Sequence, residues 1–145
     1  MTRLNGALCR ALIVLGAAAS MTAPALTQGR LSALAGLEPG LWQLRDLDDD
    51  RSAPASICVA DPAVLMQVQH RNSPCSRLVI ANDAAGATVH YTCPANGFGR
   101  TTLRVETPRL VQIDTQGISG NAPFAYRLEA RRTGACQGNR VSGRR

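Results

Sequence analysis

The amino-acid sequence predicts a mainly β fold: a curved antiparallel meander sheet of about six strands, with one short helix and two disulfide bonds. Three observations lead to this class. Apolar and polar residues alternate in short runs, as they do in strands with one buried face. Turn-forming residues separate these runs at intervals typical of hairpins. Four cysteines remain once an N-terminal export signal is set aside, and an even number suits disulfide bonding.

The first predicted strands lie early in the chain. The run LWQLRDL (Leu41–Leu47) places Trp42 and Leu44 on the same face, which we expect to be the buried one. Three aspartates follow (48–50) and predict a solvated turn, because a calcium loop needs further oxygen ligands at fixed spacing. A second β-like run, ASICVAD (Ala55–Asp61), comes next.

The single predicted helix begins at Asp61 and Pro62. An aspartate can cap the first turn, and proline fits the first helical position because its missing N–H is not needed there. The segment AVLMQVQ continues for about two turns, and HRNSP (70–74) ends it. Cys58 and Cys75 lie on either side of this unit.

A hairpin is predicted in the middle of the chain, where CSRLVIAN and ATVHYTC flank a turn at 83–86. We expect Ile80 to face Val89 and Leu78 to face Tyr91, which makes two apolar cross-strand pairs on the buried side of the sheet.

Three further strands complete the predicted meander. The runs TTLRVE and LVQIDT pair so that Val105 faces Val111 and Leu103 faces Ile113. A wider turn at 117–121 then leads to PFAYRLEARR. The inward residues of this last strand are expected opposite those of its neighbour, as Phe124 with Thr115, Tyr126 with Ile113 and Leu128 with Val111.

The first residues are typical of a secretory signal peptide. Arginines flank a short leading region, and the apolar run from Ala11 to Met21 is too short to span a bilayer. We expect cleavage after Ala25, a periplasmic or secreted protein, and no transmembrane segment in the mature chain. The chain then divides into a signal peptide (1–25), a lead-in (26–37), a single disulfide-stapled β domain (38–136) and a flexible basic tail (137–145).

The four cysteines of the mature chain are expected to form two disulfide bonds in an oxidising compartment. Four cysteines allow three pairings. The predicted register turns Cys75 and Cys93 to opposite faces of the sheet, which disfavours that pairing. We therefore predict Cys58–Cys75, closing the loop around the helix, and Cys93–Cys136, tying the central hairpin to the end of the last strand.

The basic charge does not indicate nucleic acid as a partner. The chain has a formal net charge of +6, and all 16 of its basic residues are arginine. These arginines are scattered along the chain, and few aromatic residues accompany them to stack on bases. We therefore expect no nucleic-acid binding.

The strongest chemical signal in the sequence is HYTCPANGFGR, residues 90–100. His90 precedes Cys93 by three positions, but residues three apart in a strand point to opposite faces, so the two are not expected to act together. The glycines of GFGR, 97–100, predict a turn with positive φ rather than a phosphate loop, because a strand follows them. His70 and His90 are the weak site candidates. No catalytic residue, metal site or cofactor is predicted, since a zinc site needs more ligands and no nucleophile elbow occurs.

Several short motifs, taken in order, resemble a known family. Over residues 38–136 these motifs are PGLW, ICVADP, PCSRLVI, VHYTCP with the GFGR turn, and RRTGAC. In this arrangement the chain resembles the domain-of-unknown-function family 3617, which comprises exported bacterial proteins. The resemblance implies an envelope protein with two disulfide bonds and no assigned activity, and no catalytic residue is carried over from it. The chain departs from the family in its short segment between Trp42 and Cys58.

We expect a non-catalytic binding or interaction domain of the bacterial envelope rather than an enzyme. The export signal, the paired cysteines and the lack of a coherent catalytic set favour this function. The expected partner is an envelope protein or a small apolar ligand on the concave face of the sheet. The alternatives are a small periplasmic inhibitor or chaperone-like partner of an envelope enzyme and, less favoured, a small hydrolase.

Overall fold

The structure is a computed structural model, and it describes residues 30–94 and 97–137. The predicted signal peptide (1–25) lies outside the described residues. The other residues outside them are 26–29 of the predicted lead-in, the loop residues 95–96, and 138–145 of the predicted basic tail.

Within the described ranges, seven antiparallel strands form one open sheet, which confirms the mainly β class. Two 3₁₀ segments, η1 (Ser32–Leu34) and η2 (Pro62–His70), lie outside the sheet. The strands are β1 (Gly40–Asp46), β2 (Ala55–Val59), β3 (Ser76–Asn82), β4 (Gly86–Cys93), β5 (Gly97–Thr107), β6 (Leu110–Ser119) and β7 (Ala122–Gly134). Their order across the sheet is β2-β1-β7-β6-β5-β4-β3.

The chain crosses one face of the sheet on its way from the first edge to the second. β1 and β2 form the first edge, and η2 then runs over the sheet to β3 at the opposite edge. The remaining strands return as a meander until β7 pairs with β1. On the covered face η2 contacts β2, β4, β5 and β6, while η1 contacts β4. The domain therefore has two layers, a sheet and a short irregular helical cover.

The hydrophobic core lies between these two layers. Alternate strand residues point into it because the side-chain period of a strand is two. The predicted inward residues Trp42 and Leu44 are buried there, and Leu34 and Leu37 of the lead-in join them. The largest fully buried side chains include Trp42, Tyr91, Leu65, Met66, Leu103, Ile113, Val59, Val89 and Val111.

The segment η2 begins where the sequence predicts a helix. The Asp61 carboxylate accepts the backbone N–H of Ala63 at 2.9 Å and so caps the first turn. The segment is 3₁₀ rather than α, and its backbone leaves helical geometry at Gln67 (φ −145°, ψ 46°). The buried Gln67 side chain donates from Nε2 to the carbonyl oxygens of His70 and Ser73, 3.1 Å away in each case. These bonds tie the middle of η2 to the turn that follows it.

A β-bulge in β3 changes the predicted register of the central hairpin. The bulge lies between Val79 and Ala81, and Ile80 has no partner residue on β4. One extra residue shifts the pairing by one position, and such a shift exchanges the two faces of the strand. The predicted pairs Leu78–Tyr91 and Ile80–Val89 are therefore wrong. The observed pairs before the bulge are Arg77–Tyr91, Leu78–His90 and Val79–Val89.

The disulfide bonds also differ from the predicted Cys58–Cys75 and Cys93–Cys136. The structure joins Cys75 to Cys93 and Cys58 to Cys136. After the shift Cys75 lies directly opposite Cys93, with the two Cα atoms 4.2 Å apart. Leu41 of β1 pairs with Cys58 on one side and with the end of β7 on the other, which brings the Cα of Cys136 to 5.4 Å from that of Cys58.

A tight turn joins β6 to β7, where the sequence predicts a wider one over 117–121. Gly120 and Asn121 have φ angles of 54° and 66°, the left-handed values of a two-residue type I′ turn. The pairing of β7 is therefore displaced by two residues, which leaves the same side chains facing inward. The observed pairs are Tyr126 with Thr115, Leu128 with Ile113 and Ala130 with Val111.

Residues 97–100, predicted as a turn, instead form the start of β5. Of the two glycines there, Gly97 has a positive φ of 109° and Gly99 does not. Gly99 is required for space, because a Cβ at this position would lie 2.4 Å from the hydroxyl oxygen of Tyr91.

Candidate functional site

Strand β3 is an edge of the sheet with no neighbour beyond it in the described part of the chain. The Cα separation of 4.2 Å between Cys75 and Cys93 is typical of an antiparallel pair without mutual backbone hydrogen bonds. Hydrogen-bonded and non-bonded pairs alternate along such a ladder. Arg77 and Val79 therefore direct their backbone N–H and C=O groups away from β4, toward the open edge.

Exposed apolar side chains accompany this open edge. Leu78 is 66% exposed and Ile80 is 50% exposed. Natural sheets usually protect such a strand with charge, proline, a bulge or a covering segment, and the bulge of β3 interrupts its edge only after Val79. The opposite edge strand, β2, has 5 residues against the 7 of β3, and a disulfide bond anchors each of the two edges. Of the two edges, β3 is therefore the better template for a further strand.

A cleft of about 550 Å³ opens on the covered face beside β3. Its walls come from the lead-in with η1, from the first turn of η2 and from the inward side chains of β3. The volume falls within the range of ordinary ligand pockets. Its apolar lining includes Leu31, Leu34, Pro62 and Val79.

The lead-in is held against the end of β3 by one asparagine. The backbone N–H of Ser32 donates to Asn82 Oδ1 at 2.7 Å, and Asn82 Nδ2 donates to the carbonyl oxygen of Arg30 at 3.3 Å. These two bonds place Arg30 among the residues that line the cleft.

Arg77 brings a half-buried positive charge to the cleft. Its Nε and Nη2 donate to Gln67 Oε1 at 3.0 and 2.6 Å. Burial lowers the pKa of Arg77, and the nearby charge of Asp61 opposes this lowering. An arginine keeps its proton at physiological pH in any protein environment. Its hydrogen-bond acceptor is a neutral amide, and the salt bridges among the described residues do not include Arg77.

The candidate His70 is buried beside aromatic side chains and does not line the cleft. Its Nδ1 is 3.2 Å from the hydroxyl oxygen of Tyr91. Its ring packs edge-on against Tyr91 and Phe124, with centroid distances of 5.5 and 5.8 Å. Phe124 in turn stacks on Tyr126. The surroundings of His70 are those of a core residue that bonds to its neighbours.

The candidate His90 lies on the other, uncovered face of the sheet. Its ring packs against Phe98 with the centroids 5.9 Å apart, beside a shallow groove of about 390 Å³. Cys93 is buried on the covered face and bonded to Cys75. The structure thus separates His90 from Cys93, as the strand period predicts, and also separates it from His70.

No group of three or more His, Cys, Asp or Glu side chains in the described part of the chain is arranged to hold a metal ion. In residues 30–94 and 97–137 no helix has the length and apolarity needed to cross a membrane.

The sequence pattern does not reveal Arg77 and Val79 as cleft residues, because the predicted register turns them outward. One signal is present in the run Leu78-Val79-Ile80, which is continuously apolar where a strand with one buried face alternates. Such a run exposes an apolar side chain in any register.

The described residues define a class of protein, a disulfide-bonded single-sheet β domain with an unpaired edge strand beside a cationic cleft. No family model, no curated protein and no solved structure matches the chain. Membership of the domain-of-unknown-function family 3617 therefore stays a prediction.

Proposed function

We propose that this protein is a non-catalytic interaction domain of the bacterial envelope, which binds an extended segment of a partner protein along β3. The observation that carries the proposal is the open edge of β3, with Leu78 and Ile80 exposed beside the cleft. Strand addition to such an edge is a recurring mode of peptide recognition. Main-chain hydrogen bonds supply affinity, and alternating side chains supply specificity.

The geometry of β3 determines which backbone groups and side chains of a bound strand would contact the protein. The backbone of the bound strand would form hydrogen bonds with the N–H and C=O groups of Arg77 and Val79 that point away from β4. Side chains opposite these two residues share their face of the sheet and so enter the cleft. The side chain between them lies on the uncovered face, next to Leu78. The mixed apolar and charged lining of the cleft suits such side chains better than it suits a wholly apolar ligand.

We place this function in the periplasm or outside the cell. Two disulfide bonds support this location, because such bonds form and persist in oxidising compartments. The predicted signal peptide supports the same location.

Peptide selection tests the proposal. A phage library of random linear peptides is selected on the protein purified from the periplasm of an expressing bacterium. Val79→Pro removes the N–H that points to the open edge and leaves the pairing with β4 intact. Val79→Thr is the matched control, because it keeps both the N–H and the β-branched shape. Selected peptides are expected to bind Val79→Pro at least about tenfold more weakly than the parent, and Val79→Thr within about threefold of it.

The proposal is overturned if no peptide is enriched, or if enriched peptides bind Val79→Pro as tightly as the parent. A second measurement covers the case in which this variant does not fold. Amide hydrogen exchange of the parent is recorded with and without an enriched peptide. Protection that appears at the Arg77 and Val79 amides supports strand addition, and protection confined to other strands contradicts it.

A further inference from the structure

Arg77 forms no salt bridge within the described residues, and Asp61 is the one acidic residue of the cleft lining whose charge acts on it. The guanidinium donates two hydrogen bonds to the single Oε1 atom of Gln67, and the Gln67 amide is itself bonded at both ends. The Asp61 carboxylate lines the same cleft but accepts the Ala63 N–H as the cap of η2. Arg30 adds a second positive charge. The lining residues therefore contribute two cations and one anion.

We propose that the cleft receives a carboxylate side chain of the bound strand, so that the partner segment carries an aspartate or glutamate with an apolar residue two positions away. This inference rests on the proposed function, since a strand on β3 is what delivers the side chain. The acidic residue lies opposite Arg77, and the apolar residue lies opposite Val79.

The spacing follows from the register of the edge. Arg77 and Val79 are two residues apart on the covered face, and strand residues two apart project from the same face. Side chains directly opposite each other in an antiparallel pair approach to about 5 Å between their Cβ atoms. A carboxylate at the first position reaches the free N–H groups of the guanidinium, which has five donors in all.

A carboxylate is favoured over a neutral group by the surroundings of Arg77. Charge-assisted hydrogen bonds are about twice as strong as neutral ones, and more so where water is partly excluded. Gln67 holds the guanidinium in place before binding, so little side-chain freedom is lost when the pair forms. A lysine at the same position would meet two arginines and is expected to be rejected.

Parallel selections test this inference. The random peptide library is selected separately on the parent, on Arg77→Gln and on Arg51→Gln. The control arginine lies in the turn between β1 and β2, at the other end of the sheet, and its replacement changes the net charge equally. Peptides from the parent and from Arg51→Gln are expected to share an acidic position two residues from an apolar one. Peptides from Arg77→Gln are expected to lack that preference.

The strongest peptide from the parent selection is then synthesised together with its acid-to-amide version. The acidic form is expected to bind the parent about tenfold more tightly than the amide form does. On Arg77→Gln the two forms are expected to bind with about equal affinity. If Arg77→Gln does not fold, Arg30→Gln in the exposed lead-in takes its place, with the ratio expected to fall about threefold.

The outcomes separate this inference from the proposed function. Equal binding of the acid and amide peptides to the parent overturns the carboxylate site, and so does an unchanged acidic preference on Arg77→Gln. If these peptides still lose affinity for Val79→Pro, strand addition stands. If these peptides bind Val79→Pro as tightly as they bind the parent, the proposed strand addition is overturned, whatever the result for the carboxylate site.

Discussion

At the scale of single residues, Tyr91 organises the centre of the covered face. Its side chain is fully buried, and its hydroxyl lies 3.2 Å from His70 Nδ1. The ring occupies the space that Gly99 leaves free on the neighbouring strand. Burial raises the pKa of Tyr91, while a hydrogen bond with Thr115 acts in the opposite direction. One aromatic residue thus connects η2, β4, β5 and β6.

Removing the Tyr91 hydroxyl is expected to be costly. Tyr91→Phe removes the buried hydroxyl that contacts His70 and bonds to Thr115, and should lower the free energy of unfolding by about 0.5–1.5 kcal/mol. Tyr126→Phe is the matched control, because its hydroxyl bonds to Gln69 in an exposed position and its loss should change stability by less than about 0.5 kcal/mol. Urea unfolding of both variants measures the difference. Equal losses would contradict the buried network.

The raised pKa of Tyr91 predicts a loss of stability at alkaline pH. The native state holds this proton more tightly than the unfolded chain does, so its contribution is fully present below the ordinary value of 10.0 and is lost as the pH rises above that value. Urea unfolding between about pH 9 and about pH 11 should show a steeper decline for the parent than for Tyr91→Phe. Parallel pH profiles would argue against a tyrosine that is buried and protonated.

At the scale of elements, the bulge gives β3 two different apolar surfaces. Val79 lines the cleft on the covered face, while Leu78 is exposed on the other face. Without the bulge Leu78 would have entered the core and Arg77 would have faced solvent. Ile80, which has no partner on β4, is the residue at which these roles change.

The bulge predicts that Leu78 contributes little to stability despite its size. Leu78→Ala should change the free energy of unfolding by less than about 0.5 kcal/mol, because the side chain is 66% exposed. Leu103→Ala, at a fully buried position of β5, should cost about 2–5 kcal/mol. Denaturant unfolding compares the two. A loss of several kcal/mol for Leu78→Ala would contradict the bulge and support the register in which Leu78 is buried.

The open edge predicts an alternating pattern of amide exchange along β3. The amides of Arg77 and Val79 point away from β4 and should exchange at rates close to those of an unstructured chain. The Leu78 amide lies between them, bonds to β4, and should exchange orders of magnitude more slowly. Hydrogen exchange followed by NMR resolves these three sites. Slow exchange at Arg77 and Val79 with fast exchange at Leu78 would mean that the Leu78 amide points to the open edge.

At the scale of the whole molecule, the two disulfide bonds secure the two edges of the sheet. Cys75–Cys93 fastens β3 to β4 at one edge, and Cys58–Cys136 fastens β2 to the chain beyond β7 at the other. The cover formed by η2 runs between these edges. The segment from Cys58 to Cys75, which contains η2, is therefore held by a disulfide bond at each of its ends.

The two bonds should differ in their contribution to stability. In the chain-entropy model a bond that spans 78 residues contributes about 4.5 kcal/mol and one that spans 18 contributes about 3 kcal/mol. Replacing Cys58 and Cys136 by alanine should therefore destabilise the protein more than replacing Cys75 and Cys93. Thermal unfolding ranks the two double variants, and non-reducing peptide mass mapping checks the pairing. The opposite ranking would contradict the model, and a Cys58–Cys75 peptide would contradict the structure.

Much of the fold is predictable from local sequence. The pairs Val105–Val111 and Leu103–Ile113 are confirmed, because β5 and β6 alternate regularly around a short turn. The start of η2 at Asp61 is also confirmed, since an N-cap depends on neighbouring residues alone. The cleft was not predictable, because Arg77 and Val79 reach it only through the bulge and through the packing of segments distant in sequence.

The sequence by itself determined the β class, the meander and the inward residues of the central strands, because these depend on a side-chain period and on turn residues. The tertiary structure alone decided the disulfide partners, the inward turn of Arg77 and the outward turn of Leu78. All three depend on one unpaired residue, Ile80, and a single inserted residue leaves almost no mark in a sequence pattern of period two. The two cysteines that seemed to lie on opposite faces are bonded to each other for the same reason.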